Sequence, residues 1–166
     1  MVCSSENIDV AGQKRSSRII AMSVLCCSDL TRLFSGGRGI VRSKESSIFE
    51  PYAGAFLQTK NLIEENLDEF EHIVTTTAVF DSAYQHVKDY VEVLEQVESK
   101  IAASATHWKV KRMPLVDRNI LRIAVVELSS TEIPREIIIN EAIEIAKLFG
   151  GNKSAAFVNG VLDHLS

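Results

Sequence analysis

Val116-Asp117-Arg118-Asn119-Ile120-Leu121-Arg122-Ile123-Ala124-Val125-Val126-Glu127-Leu128 is the stretch that decides the fold. Ile120, Leu121, Ala124 and Leu128 recur at helical spacing and form one inward stripe, and Asp117 is placed to cap the start of the helix. Two later blocks repeat the pattern. In Ile138-Ile139-Asn140-Glu141-Ala142-Ile143-Glu144-Ile145-Ala146-Lys147 the inward positions are Ile138, Ala142 and Ile145, continued by Phe149. In Phe157-Val158-Asn159-Gly160-Val161-Leu162-Asp163, Val158, Leu162 and the following Leu165 make one stripe, and Phe157 and Val161 an adjoining one. All three blocks also carry polar residues that packing alone does not require.

The punctuation around these blocks agrees with helices. Pro134 suits a first-turn position, Gly150-Gly151 stops the second block, and Asn152 or Ser154 can start the last helix. Trp108-Lys109-Val110-Lys111-Arg112-Met113-Pro114 reads as a hinge, because Pro114 disfavours helix for the residue before it.

Towards the N-terminus, residues 1–13 have little apolar content and no period and read as a disordered tail. A first helix is predicted from Lys14 to about Phe34, with Ile20, Val24, Cys27, Leu30 and Phe34 on one face. Gly36-Gly37-Arg38-Gly39 ends it, and a polar loop follows through Ser47. After Pro51 a second stripe runs through Tyr52, Phe56, Ile63, Leu67, Phe70 and Val74 to Thr75-Thr76-Thr77. A third runs through Phe80, Ala83, Val87, Val91, Leu94, Val97 and Ile101; nothing in its composition breaks it before Ala105, so it reads as one long helix. No strand alternation and no internal repeat is visible. The fold class is all-α.

At 166 residues and 46% hydrophobic content the chain has the size for one domain with a substantial core. No apolar run approaches bilayer length, and the opening residues have neither a basic nor an apolar signal region, so a cytoplasmic protein without membrane contact is expected. Cys26 and Cys27 are adjacent, without metal-ligand spacing, and read as small buried hydrophobes. The net charge of −4 is unevenly divided: residues 1–45 carry +3 and the remainder −7. A basic beginning on an acidic body suggests a local anion site and a separate protein-binding surface.

Lys14, Arg15 and Arg18 crowd the predicted first turn, where cations oppose the helix dipole by ~0.3–1 kcal/mol each. Free N–H groups together with cations make a phosphate site, and a solvated basic end without ligand is the equal alternative. Lys109, Lys111 and Arg112 form a second basic group beside Trp108. An aromatic among cations can stack on a base or make a cation–π contact, but a lone Trp at a hinge is more often a core plug, and Trp108 is read as one. Phe157 either sits at the core margin with a ring edge open to a base or is simply buried. Gly160 in mid-helix implies close approach by another backbone or by a ligand, and Asn140 and Asn159 read as bonded to neighbouring helix ends. As an enzyme the chain is poor. His72, His86, His107 and His164 are scattered, and no zinc-protease, phosphate-loop or dinucleotide motif occurs, so no catalytic residue, metal or cofactor is expected.

Arg118, Leu121, Arg122, Ala124, Glu127 and Leu128, then Pro134, Asn140, Glu141, Ala142, Ala146 and Lys147, then Ser154, Phe157, Val158, Asn159, Gly160, Val161 and Leu162 carry a resemblance. In that order and spacing they resemble the NusB family of transcription antitermination factors, and Arg15, Arg18, Ala21 and Leu25 look like its opening pattern. The resemblance implies two small helical subdomains packed across one another, 14–108 and 109–166, and a turn near 94–96 that divides the third stripe. It also implies binding of single-stranded boxA-like RNA in ribosomal RNA transcripts, together with the ribosomal protein NusE, within an RNA polymerase elongation complex. By position, the RNA-binding residues would be Lys14, Arg15 and Arg18 on the first helix and Lys153, Ser154 and Phe157 at the last; Asp117 would be partner-binding. Two competing readings remain: an RNA-binding module like the N-terminal part of a ribosomal RNA cytosine methyltransferase, and a protein-only helical adaptor.

Overall fold

The long apolar periodicities fold as seven α-helices and one 3-10 turn among the described residues of the computed structural model, which are 10–34, 50–66, 68, 73–106 and 108–165. The expected tail up to residue 9, the loop 36–47, and Leu67 and Phe70 of the second stripe lie outside them. The helices are α1 (Val10–Phe34), α2 (Glu50–Glu65), α3 (Thr77–Glu92), α4 (Leu94–Ser104), α5 (Leu115–Ser130), α6 (Arg135–Phe149) and α7 (Ser154–Asp163), with the 3-10 turn at Val110–Arg112. No described helix is long and apolar enough to cross a membrane.

α1 and α5 are the two central elements. α1 packs against α2, α3, α5 and α6, and α5 against α1, α3, α4, α6 and α7. Neighbours on several sides explain why burial on α1 is not the single stripe expected: every residue from Ser16 to Met22 is buried, whereas Leu30 is exposed. On α5 every residue from Asn119 to Glu127 is buried. One hydrophobic cluster draws on all seven α-helices, so the two expected halves share it.

Several boundaries differ from the sequence reading. α1 starts at Val10, four residues before Lys14, because nothing between Val10 and Gln13 stops a helix except the mild penalty of Gly12. α2 ends at Glu65, so its stripe does not continue to Val74; Val74 instead donates its backbone N–H to Ser16 Oγ (3.0 Å), which pins the following segment to α1. The third stripe is two helices. Val93 leaves helical geometry (φ −115°, ψ 20°) and its N–H is shared between Asp89 O and Tyr90 O, one residue before the turn that the resemblance implies. Thr76 caps α3, its hydroxyl accepting from Val79 N–H (3.4 Å).

The polar residues of α5 now have a purpose. Arg118 Nη2 (2.8 Å) and Arg122 Nη1 (2.7 Å) both donate to Asp29 Oδ2 on α1, and Arg122 Nε donates to Glu98 Oε1 on α4 (2.7 Å). Asn119 donates to the same Asp29 oxygen (3.2 Å) and accepts from Arg122 (2.8 Å). The Arg122 guanidinium also lies over the Tyr90 ring, 5.3 Å from its centroid. Burial works against the Asp29 carboxylate, yet Arg122 and Arg118 outweigh it and hold its pKa below the ordinary value. Cys26 sits at the edge of this network, and burial pushes its thiol up to about 11, so it is an inert thiol.

Candidate nucleic-acid interface

Lys14, Arg15 and Arg18 lie beyond the first turn of α1, since the helix begins at Val10. Their backbone N–H groups therefore fall within the helical ladder, and the expected pairing of cations with free N–H groups is not formed at these residues. The side chains diverge in environment. Lys14 is exposed, Arg15 is 39% exposed at its side chain, and Arg18 is only 4% exposed.

Both arginines meet carboxylates from the far half of the chain. Arg15 Nε and Nη2 donate to Glu141 Oε2 (2.8 Å) and Oε1 (2.7 Å) on α6, a bidentate pair. Arg18 Nε donates to both oxygens of Glu127 on α5, at 3.0 and 2.8 Å, and its Nη1 lies 3.8 Å from Glu141 Oε2. Arg18 is thus a structural charge between three helices. Burying a cation is tolerable only with such partners.

His86 on α3 completes the group. Its Nε2 lies 2.9 Å from Glu127 Oε1 and its Nδ1 lies 2.7 Å from the Ser82 carbonyl oxygen. Both neighbours can only accept, so the ring satisfies both when each nitrogen carries a proton. Burial disfavours that charge, but the Glu127 hydrogen bond and the Ser82 carbonyl outweigh it and raise the His86 pKa. Glu127 moves the opposite way. Burial raises its pKa, and the hydrogen bonds from His86 and Arg18 more than reverse this. A cavity of about 170 Å³ opens beside the group, lined by Lys14, Ser17, Arg18, His86, Glu127 and Thr131 among others.

The second set sits at α7. Lys153 is exposed at the N-cap position. Ser154 is buried, and its Oγ accepts from Gly151 N–H (2.8 Å), so this hydroxyl closes the α6–α7 turn from within. Gly150 is required there: a Cβ on it would collide with Ser154 and approach the Ala146 carbonyl oxygen to 2.6 Å. Gly160, expected to mark a close approach, has nothing within 4 Å of such a Cβ; the tight glycine is Gly150. Asn159 bonds Asp163 of its own helix (2.9 Å) rather than a neighbouring helix end, and Asn140 is exposed.

Phe157 is half-buried at the core margin and meets Trp108 edge to face, with ring centroids 5.5 Å apart and planes at 67°. Trp108 is 51% exposed, which corrects its reading as a core plug: the 3-10 turn carries the chain past the core, and buried Met113 does the anchoring. Asp117, expected to cap α5 and to face a partner, does neither with its side chain. Pro114 occupies the N-cap position, Asp117 lies in the first turn at 2% exposure, and its Oδ1 has no hydrogen-bond partner among the described residues.

The predicted site residues therefore form two sets. Lys14, Arg15 and Arg18 ride on α1, while Lys153, Ser154 and Phe157 ride on α7, which packs on α4, α5 and α6. α5 and α6 both touch α1 and α7 and so connect the two sets. Sequence reasoning missed His86 and the carboxylates Glu127 and Glu141 as partners of the arginines. The available signal was Glu127 itself, a carboxylate between Val126 and Leu128 on an apolar helix, which demands a cation.

The profile of the NusB family matches residues 51–166. The transcription antitermination protein NusB of Geobacter sp. (strain M21) is 43% identical over 113 residues, 65% of this chain and 77% of that protein. The protein of the same name from Desulfosudis oleivorans is 36% identical over 154 residues, 92% of this chain and 84% of that protein. Among solved structures, the crystal structure of antitermination factors NusB and NusE in complex with double-stranded RNA shares the fold. Its TM-score is 0.64 at 22% identity, covering 92% of this chain and 95% of that one.

Proposed function

Because the chain belongs to the NusB family, we propose that it is an RNA-binding transcription antitermination factor without catalytic activity. It binds single-stranded boxA-like RNA of ribosomal transcripts together with NusE, in the cytoplasm, as part of an RNA polymerase elongation complex. The observation that carries this reading is the match along 92% of the chain to a protein named for transcription antitermination. A NusB of the same fold in complex with NusE and RNA supports the choice of partners.

Within this reading, Lys14 and the outer edge of Arg15 contact phosphates, Lys153 contacts a further phosphate, and Phe157 borders a base. Arg18 and Ser154 hold these positions from inside.

The test is RNA binding by the full chain, with and without NusE, across a salt series. Lys14→Ala and Lys153→Ala should each lower the slope of log affinity against log salt by ~0.7, the value for one lost phosphate contact on a single strand. Absence of RNA binding in both conditions overturns the proposal. The carboxylate-paired arginines favour one second reading, a protein-only adaptor. It predicts NusE binding with no contribution from RNA.

A further inference from the structure

A half-exposed indole on a short rigid turn is unusual when a buried position lies a few residues away. Trp108 is fixed at its backbone by a hydrogen bond from its N–H to Ala105 O (2.9 Å). The turn after it is closed by Arg112 N–H to Lys109 O (2.8 Å) and Met113 N–H to Val110 O (3.2 Å), with the Met113 side chain buried. Phe157 meets the ring in an edge-to-face contact, while half of the residue's surface faces solvent. The ring is therefore held in place and left open.

Its surroundings are cationic. Lys109, Lys111 and Arg112 follow it in sequence, and Lys153 lies one helical turn before Phe157; all four are exposed. Among the described residues none of these four is ion-paired, in contrast to Arg15, Arg18, Arg118 and Arg122. From Trp108 to Val116 there is no acidic residue. Asp117, the first beyond, is buried.

The geometry points to Trp108 as a stacking platform for an unpaired base of single-stranded RNA, with Lys109, Lys111, Arg112 and Lys153 holding the flanking phosphates. An aromatic face beside a basic surface is the chemistry of single-strand binding: every base offers a π-face, and cations track the backbone. A protein partner would need acidic residues to match the cations; RNA supplies the charge and the stacking group together. This assignment rests on the RNA-binding reading above and adds a contact to it. It extends the interface from the α7 end, through Phe157, onto the turn that precedes α5.

Trp108 is the single tryptophan of the chain, so its emission reports on this site alone. The experiment titrates the full chain with an unstructured single-stranded oligoribonucleotide carrying an end label, reading label anisotropy and Trp108 fluorescence together. Quenching should follow anisotropy with the same midpoint. Trp108→Ala should weaken binding about 5- to 150-fold, the range carried by one stacked base, and Trp108→Phe should recover most of it. Circular dichroism and thermal melting confirm that both variants fold.

Binding by anisotropy with unchanged Trp108 emission and a wild-type affinity for Trp108→Ala overturns this inference and leaves the RNA-binding reading standing. No anisotropy change, with NusE present or absent, overturns both. Quenching by NusE alone, with nothing added by RNA, assigns the face to protein and also overturns the inference.

Discussion

The seam between α1 and α5 and the surface where Trp108 meets Phe157 use the same residue types in opposite ways. In the seam and at its edges, Arg15 and Arg18 on α1 are neutralised by Glu141 on α6 and Glu127 on α5, and Arg118 and Arg122 on α5 by Asp29 on α1 and Glu98 on α4. On the turn before α5, Lys109, Lys111 and Arg112 face solvent with no ion pair among the described residues. A cation in the sequence announces charge but does not say whether its partner is internal. The partner decides whether the residue holds the fold together or recognises something outside it. Arginine fills the internal role here, where its fixed planar fork can serve two carboxylates at once.

The strongest way to break this comparison is to remove Arg18. Arg18→Ala leaves the Glu127 carboxylate, with its side chain 4% exposed, facing only His86, and should cost about 3–5 kcal/mol of stability. Urea denaturation measures it. A loss below about 1 kcal/mol, the level of a surface pair, would move Arg18 into the external class. The double variant Arg18→Met with Glu127→Leu removes both charges and should recover much of the loss, because no unpaired ion remains.

A second prediction probes the other region. Gly150→Ala forces a methyl group against Ser154 and the Ala146 carbonyl, so the α6–α7 turn must shift. The expected cost is about 1–3 kcal/mol, typical of overpacking in a tight site. Arg135 bonds the Leu162 and Leu165 carbonyl oxygens at 2.6 and 2.9 Å, tying the start of α6 to the end of α7. α7 should therefore move as a unit, and an unchanged melting temperature would show that the turn is slack.

How much of this was legible in the sequence depends on distance along the chain. The stripes Ile120, Leu121, Ala124 and Val158, Leu162, Leu165 placed α5 and α7 against the core directly, because packing repeats with the helix. The α3–α4 break was invisible to that logic: Val93 is an apolar residue with no glycine or proline beside it, and only the resemblance located a turn there. The pairing of Arg15 with Glu141 spans 126 residues, and local spacing has no access to it. For the same reason the spacing of Lys14, Arg15 and Arg18 gave no sign that two of the three are matched by carboxylates within the molecule. Trp108 was misjudged because its burial is set by the 3-10 turn, whose path no residue type in Lys109-Val110-Lys111-Arg112 specifies.

Gly160→Ala carries the opposite sign to Gly150→Ala and a smaller size. The position is helical with open space around a Cβ, so alanine gains backbone entropy without a clash. A stabilisation of about 0.5–1 kcal/mol is expected. Destabilisation in the isolated protein would mean that α7 already presses on something at that position.

The smallest effect concerns His86, whose charge survives as the balance of opposed influences. Burial pulls its pKa down, the contacts to Glu127 and the Ser82 carbonyl push it up, and nearby Arg18 subtracts again. The net shift is upward from the ordinary 6.5. Protonated His86 therefore contributes stability that is complete below pH ~6.5 and fades as pH rises through the higher folded value. Glu127 is shifted downward from 4.5, and its contribution fades only as pH falls through its own depressed value, so the two losses bracket the neutral range from opposite sides. Unfolding free energy followed from pH 6 to 9 should show a shallow decline. His86→Gln, which keeps a donor for Glu127 but cannot titrate, should flatten it. If the decline persists in that variant, the seam is held by Arg18 alone and the histidine is a bystander. If it vanishes, the interior of the seam senses pH through His86.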